Sequence, residues 1–287
     1  MKYLLVKGWL GFGDRLETLK MAVAFALKYN LAIHVDWRDS IWSHGSESFY
    51  TYFDLKMPKF NLDDIRDCKI YPEYWKDHLD EQLNLPLIHE KSSELNLNVL
   101  TDEKVSTCFK NYDCIVVSSI GIRNLFIESS FFTNVFRVID QRIISGLNAR
   151  GDLSDYVGVH IRGSDRQRPN KRVHSIQSLV IHAQMYGILN NKILAVSDDS
   201  ESLRFWKNYH PKTVTWDTQS LKLNNTTGNH NLTADKLSVS KDQMNVEMLI
   251  DFFTLAKCKQ VFRTFKDSRF SAEAQRLHAT VHNVFKN

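Results

Sequence analysis

At 287 residues the chain has length for two domains of roughly 150 residues each, and enough to bury a core without disulfides or a structural metal. Its composition, 43% hydrophobic and 24% charged with 11 glycines and 5 prolines, excludes a collagenous, low-complexity or disordered chain. The 37 basic residues exceed the 33 acidic ones by only 4, less than a nucleic-acid surface usually shows but compatible with a few arginines facing a small anion.

Met1 to Leu10 is a short apolar run broken by Lys7 and Gly8, without the length or cleavage site of a signal peptide. No apolar stretch approaches the 18 residues of a membrane span. Cys68, Cys108, Cys114 and Cys258 form no C-x-x-C pair, which argues against a zinc ribbon and reads as reduced thiols. The expected setting is cytoplasmic.

Tyr3–Val6 reads as a buried strand, Gly8, Gly11 and Gly13 as a turn, and Leu16–Tyr29 as a helix by its apolar spacing. Leu31–Val35 is a second strand ending at Asp36-Trp37-Arg38-Asp39-Ser40. This β-α-β unit seeds a parallel, helix-flanked sheet. Residues 40–100 are aromatic and polar, with loops and short helices expected. Cys114–Ser118 is a buried strand and Phe131–Ile144 a helix ending near Gly146.

Small, polar and charged residues at Asn148–Ser154 suggest a boundary between domains 1–150 and 151–287. The second half repeats the rhythm: strands at Tyr156–Ile161, Lys192–Val196, Thr213–Thr215 and Gln260–Arg263, and helices at Ser175–Tyr186, Ser200–Tyr209, Val246–Ala256 and Ser271–His278. Residues 217–243 read as a loop and Val281–Phe285 as a terminal strand. The expected architecture is α/β, two Rossmann-like halves facing across a cleft, with ligands outside the carboxyl ends of the strands.

Several polar groups fall at such ends. Gly11 and Gly13 would let backbone N–H groups approach a ligand, or simply make a tight turn; the third glycine of the dinucleotide fingerprint and the Gly-Lys-Ser/Thr of a P-loop are missing. Asp14 and Glu17 are helix-start carboxylates or acid/base groups. His160-Ile161-Arg162-Gly163-Ser164-Asp165 is more specific, because an arginine just past a buried strand can hold a phosphate bidentately. Arg166, Arg168, Lys171 and Arg172 follow, some of them on an ordinary solvated loop.

Asp198 and Asp199 close another strand as helix caps, ligand contacts or braces for an arginine; they do not form D-x-D, and metal binding has little support. Asp251, inside an apolar helix, is either exposed or in need of a partner, for which two guanine N–H donors would serve. Thr264, Phe265, Ser268 and Ser271 precede or open a helix whose amides can hold an anion, with Ser271 as the ordinary N-cap.

In this order the residues resemble the GDP-fucose fucosyltransferases of the GT-B fold, the superfamily of nodulation and core α-1,6-fucosyltransferases. The resemblance rests on Gly11-Phe12-Gly13-Asp14, Asp36-Trp37-Arg38-Asp39-Ser40, Gly158-Val159-His160-Ile161-Arg162, Ser197-Asp198-Asp199, the Asp251 helix, and Thr264-Phe265 with Ser268 and Ser271. It touches both halves of the chain.

The resemblance implies an acceptor-side N-terminal domain and a GDP-sugar-binding C-terminal domain. It implies inverting transfer from GDP-β-L-fucose, giving an α-fucoside, with no cofactor and no obligatory metal. Arg162 would hold the diphosphate, helped by Arg166, Ser268 and turn amides, and His160 and Asp251 match guanine contacts. Metal-free loss of a diphosphate needs such fixed positive charge and N–H donors.

Two positions depart from the core enzymes: Gly163 stands where they carry a second arginine, and Asn170 where their proposed base glutamate lies. The base would then be Asp14, ranked first, Glu17 or Asp165. The partners implied are GDP-fucose and a bacterial glycan, with no nucleic acid and peripheral membrane contact left open. The acceptor would be met by loops in 40–100 and 217–243 and by aromatic residues between Trp37 and Trp75 that otherwise pack as core. A transferase of another nucleotide sugar, or a relative that binds without turnover, are the alternatives.

Overall fold

In the computed structural model, which describes residues 2–97, 110–118, 129–163, 180–220, 233–264 and 267–286, the apolar run at the start becomes strand β1 (Tyr3–Lys7). Gly11 then caps helix α1 (Phe12–Tyr29), whose Leu16, Leu19, Val23 and Ala26 are fully buried. Asn30, in the left-handed conformation, ends it. Strand β2 (Ala32–Asp36) lies parallel to β1, with Leu5 opposite His34.

After α2 (Phe49–Tyr52), β3 (Phe53–Leu55), β4 (Ile70–Tyr71) and α3 (Leu85–Leu95) comes β5 (Cys114–Ser118). The first sheet has the order β2-β1-β5-β4, all parallel. Buried Leu5, Ile70, Trp75, Leu79, Leu87 and Val116 share one core cluster against it.

The stretch expected as one helix over Phe131–Ile144 divides. Helix α4 (Ser129–Thr133) gives way to strand β6 (Phe136–Val138), and helix α5 (Gln141–Ala149) follows. Strand β6 pairs antiparallel with β3, Phe53 against Val138, and Asp140 starts α5 by accepting from the Arg142 amide at 2.8 Å. A distant strand partner and a local N-cap outweigh helical spacing here.

The chain forms two compact units, Met1–Ile139 with His282–Asn287, and Asp140–Val281. In the second, β7 (Tyr156–Ile161) is the centre of a parallel sheet of order β8-β7-β9, with β8 at Lys192–Ser197 and β9 at Gln260–Arg263. Val214 adds a single parallel bridge to Leu194. Val157, Val159, Ile161, Ile193, Ala195 and Trp206 share one core cluster.

Residues 180–185 are helical, and the rest of the expected helix to its N-terminal side, 175–179, lies outside the described residues. Helices α6 (Ser200–Tyr209), α7 (Lys241–Lys257) and α8 (Arg269–Leu277) complete the unit. The terminal run expected as a strand is a 3-10 helix, His278–Phe285; a short apolar run carries too little periodicity to choose between the two.

Candidate functional site

Strand β7 is flanked on both sides, so the backbone just past its carboxyl end is held by both neighbours. From the β9 side, Thr264 N donates to His160 O at 3.1 Å, and Thr264 Oγ1 accepts from the Arg162 amide at 3.0 Å. From the β8 side, Asp198 Oδ1 accepts the Gly163 amide at 2.7 Å and Asp198 Oδ2 lies 3.4 Å from Arg162 Nε. The Arg162 side chain keeps 22% of its surface exposed. A guanidinium oriented by a carboxylate at a strand end is suited to meet phosphate oxygens.

Asp198 and Asp199 divide the roles open to them. Asp198 braces the arginine, while Asp199 caps α6, accepting from the Ser202 amide at 2.9 Å and its hydroxyl at 2.5 Å. This cap crowds Gly163. A Cβ there would come within 2.5 Å of Asp199 Cβ and 2.7 Å of Ser202 Oγ, so a larger side chain requires the cap to move.

His160 is buried at 4% exposure. Burial pushes its imidazole down to about 4, the charges of Arg162 and Arg263 act the same way, and Asp198 opposes them. The ring is therefore neutral at neutral pH. Its Nδ1 has no hydrogen-bond partner among the described residues. Phe270 in α8 packs on the ring with centroids 5.2 Å apart, and Phe252 in α7 packs on Phe270.

At the start of α8 the N-cap is Ser268 rather than the expected Ser271. Ser268 is buried and its hydroxyl makes no capping bond. Ser271 lies in the first turn, its hydroxyl 3.4 Å from Ser268 O. The positive end of this helix favours an anion.

Asp251 has its partner inside the chain. Its carboxylate lies 2.7 Å from Arg150 Nη1, which also donates to Thr254 Oγ1 at 2.6 Å. The Arg150 guanidinium sits 4.4 Å over the Trp216 ring. Burial raises the Asp251 carboxyl above its ordinary value, and Arg150 offsets only part of that rise. Neither Arg150 nor Trp216 was picked out in the sequence, where Arg150 fell in the polar boundary segment.

The structure thus gathers His160, Arg162, Gly163, Asp198, Asp199 and Thr264 at one sheet edge, with Ser268 and Ser271 at the start of the helix that carries Phe270. Asp165, Arg166 and Phe265 lie outside the described residues, as do Arg168, Asn170, Lys171 and Arg172.

Gly11, Gly13, Asp14 and Glu17 belong to the other unit. Gly11 has room for a side chain, the nearest atom being Asp14 Oδ2 at 3.9 Å. Gly13 is buried in the first turn of α1, Asp14 is half-buried there, and Glu17 is buried at 8% exposure. The glycine that this turn requires is Gly8, because a Cβ there would strike the Arg15 guanidinium and Trp37.

Arg15 is fully buried and bonds Asp39 Oδ1 through Nη2 at 2.7 Å. Its Nε donates to Leu10 O at 2.9 Å, and Leu10 has a left-handed φ of 67°. Trp37 and Trp42 cover the guanidinium at 5.4 and 5.3 Å. These two tryptophans, with Phe49, Tyr52, Phe53 and Trp75, are core residues.

Beside them Lys7 pairs with Asp36 at 2.7 Å, both buried. Burial alone would raise the Asp36 carboxyl, yet Arg38, Lys7 and Gln82 together hold it at about 2. Lys7 and Asp36 end the adjacent strands β1 and β2 with opposite charges, a signal legible in the sequence; Arg15, inside a helix, carries no such signal.

Among the described residues, no group of three His, Cys, Asp or Glu side chains is placed to hold a metal ion. No helix among them is long and apolar enough to cross a membrane.

No family model matches the chain, and no curated protein matches it. Solved structures do. A NodZ alpha-1,6-fucosyltransferase soaked with GDP-fucose is 16% identical, over 96% of this chain and 93% of that one, with a TM-score of 0.65. The fucosyltransferase NodZ from Bradyrhizobium is likewise 16% identical, over 96% and 92%, with a TM-score of 0.68. A mutant of Arabidopsis thaliana FUT1 in complex with GDP is 12% identical over 96% and 69%, with a TM-score of 0.60. The likeness shows the fold, the α/β GT-B fold.

Proposed function

We propose that the chain is a glycosyltransferase that moves L-fucose from GDP-β-L-fucose to a hydroxyl of a glycan, with inversion to an α-fucoside. The observation that carries this reading is the Arg162 guanidinium at the carboxyl end of the central strand, braced by Asp198. The shared fold supports it, because neighbours of that fold carry GDP or GDP-fucose.

In this reaction the acceptor oxygen bonds to the anomeric carbon as the bond from that carbon to the diphosphate oxygen breaks. The bonding electrons leave with GDP, and the acceptor proton passes to a carboxylate. Arg162, Ser268 and the first-turn amides of α8 would neutralise the charge that grows on the diphosphate. Such a site needs no metal. Arg166 and Phe265 belong to the same proposed donor site.

His160, held neutral by burial, would meet the guanine base with one ring nitrogen. Asp251 would accept the guanine N–H donors, and Arg150 beside it favours the ionised form this requires. The proposed base is Asp14 in the first turn of α1, with Glu17 and Asp165 as the other carboxylates of the set.

Thermal unfolding with GDP, UDP and ADP, joined to a GDP-release assay with GDP-fucose and a mixed glycan acceptor, tests the reading. Stabilisation by GDP and acceptor-dependent GDP release are expected. Stabilisation by UDP instead would point to another nucleotide sugar, and tight GDP binding without release to a binding protein.

A further inference from the structure

Segment 77–82 is laid across the carboxyl ends of β1 and β2. Lys7, ending β1, donates to Leu79 O at 2.5 Å and Glu81 O at 2.9 Å, and Gln82 donates to Asp36 Oδ2, ending β2, at 3.0 Å. Buried Trp75 lies beneath, 5.1 Å from Lys7 Nζ. The segment is therefore a rigid floor at the sheet edge where parallel α/β folds take ligands. An open, mostly polar cavity of about 500 Å³ lies on it.

Inside the cavity the Tyr74 and His78 rings stack, 4.4 Å apart and 10° from parallel. Glu81 ties both down, accepting from Tyr74 Oη at 2.5 Å with His78 Nδ1 at 3.3 Å from the same oxygen. Arg66 Nη2 donates to Asp80 at 3.1 Å, and Asp77 also lines the cavity. A flat ring platform has thus been fixed next to charged hydrogen-bonding groups of both signs.

The chemistry narrows the ligand. Arg66 and Lys76 face Asp77, Asp80 and Glu81, so the lining carries more negative than positive charge and disfavours an anion. The described carboxylates and histidine are not grouped for a metal ion. A neutral sugar fits both features, setting its C–H face on the aromatic rings and its hydroxyls against carboxylate and guanidinium.

We propose that this cavity is a subsite for a neutral sugar ring of the acceptor glycan. The proposal deepens the glycosyl-transfer reading and rests on it for the word acceptor. The site itself is tested by direct binding of the whole chain to an array of neutral oligosaccharides, without donor, for wild type, His78→Ala, Asp80→Asn and His78→Phe. His78 is exposed, so these variants are expected to fold, and thermal unfolding checks it.

Bound glycan signal should fall about tenfold in His78→Ala, fall in Asp80→Asn, and persist in His78→Phe, which keeps the flat ring. Undiminished signal in both losing variants, or no glycan bound by wild type, overturns the proposal. GDP stabilisation, measured alongside, judges the transferase reading separately.

Discussion

Asp198 holds two consecutive residues of the β7 terminus at once, the Gly163 amide on Oδ1 at 2.7 Å and Arg162 Nε near Oδ2 at 3.4 Å. One carboxylate thereby sets both the path of the backbone and the direction of the guanidinium. Asp198→Asn keeps the amide bond but loses the charge on the arginine. Transfer efficiency, kcat/KM for GDP-fucose, is expected to fall about tenfold, against a loss of about 10²–10³ in Arg162→Ala. Steady-state GDP release measures both, and equal losses would mean that Asp198 does more than position Arg162.

Gly163 is required by its neighbours rather than by its backbone angles. Gly163→Ala puts a Cβ 2.5 Å from that of Asp199, and a rigid cap costs about 1–3 kcal/mol to displace. Urea unfolding should show that loss. Gly163→Arg, which would recreate the paired arginines of the core enzymes, is expected to destabilise the chain further and not to raise activity.

The Arg15–Asp39 pair is fully buried. Breaking such a pair strands a charge and costs about 3–5 kcal/mol, whereas replacing both partners by apolar groups recovers much of it. Asp39→Ala should therefore lower the unfolding midpoint far more than the double change Asp39→Leu with Arg15→Met. A double as unstable as the single would mean that the stranded Arg15 charge is not the source of the loss.

The buried His160 makes stability depend on pH. Its folded value of about 4 lies below the ordinary value of 6.5, so on acidification the unfolded chain takes the proton first. The contribution of His160 is complete above pH 6.5 and is lost as pH falls toward 4. His160→Phe, which preserves ring packing against Phe270, should flatten this part of the stability profile. Chemical unfolding at several pH values reads the difference.

Much of this was legible because strand and helix starts carry local signals. Tyr156–Ile161 is a short run rich in β-branched residues and Gln260–Arg263 a Val-Phe pair between polar residues, and both form the strands expected of them. Asp199 stands immediately before Ser200–Tyr209 and caps it. What sequence could not show were partners distant along the chain. Phe136–Val138 is a strand only because Phe53–Leu55 lies beside it. Asp251, inside an apolar helix, gives no sign in the sequence of Arg150, its partner, which lies far away along the chain. Arg15 is hidden inside an otherwise helical pattern, and Asp39 is what makes its burial possible.

In the proposed reaction Arg162 serves the transfer of fucose from GDP-fucose. This role is tested most directly by incubating wild type and Arg162→Ala with GDP-fucose and a glycan array, and reading the products by mass. One added deoxyhexose is expected on a subset of glycans with wild type, and a loss of about 10²-fold or more in the variant. Wild-type-like transfer by Arg162→Ala, or transfer of a different sugar in preference to fucose, would contradict this role.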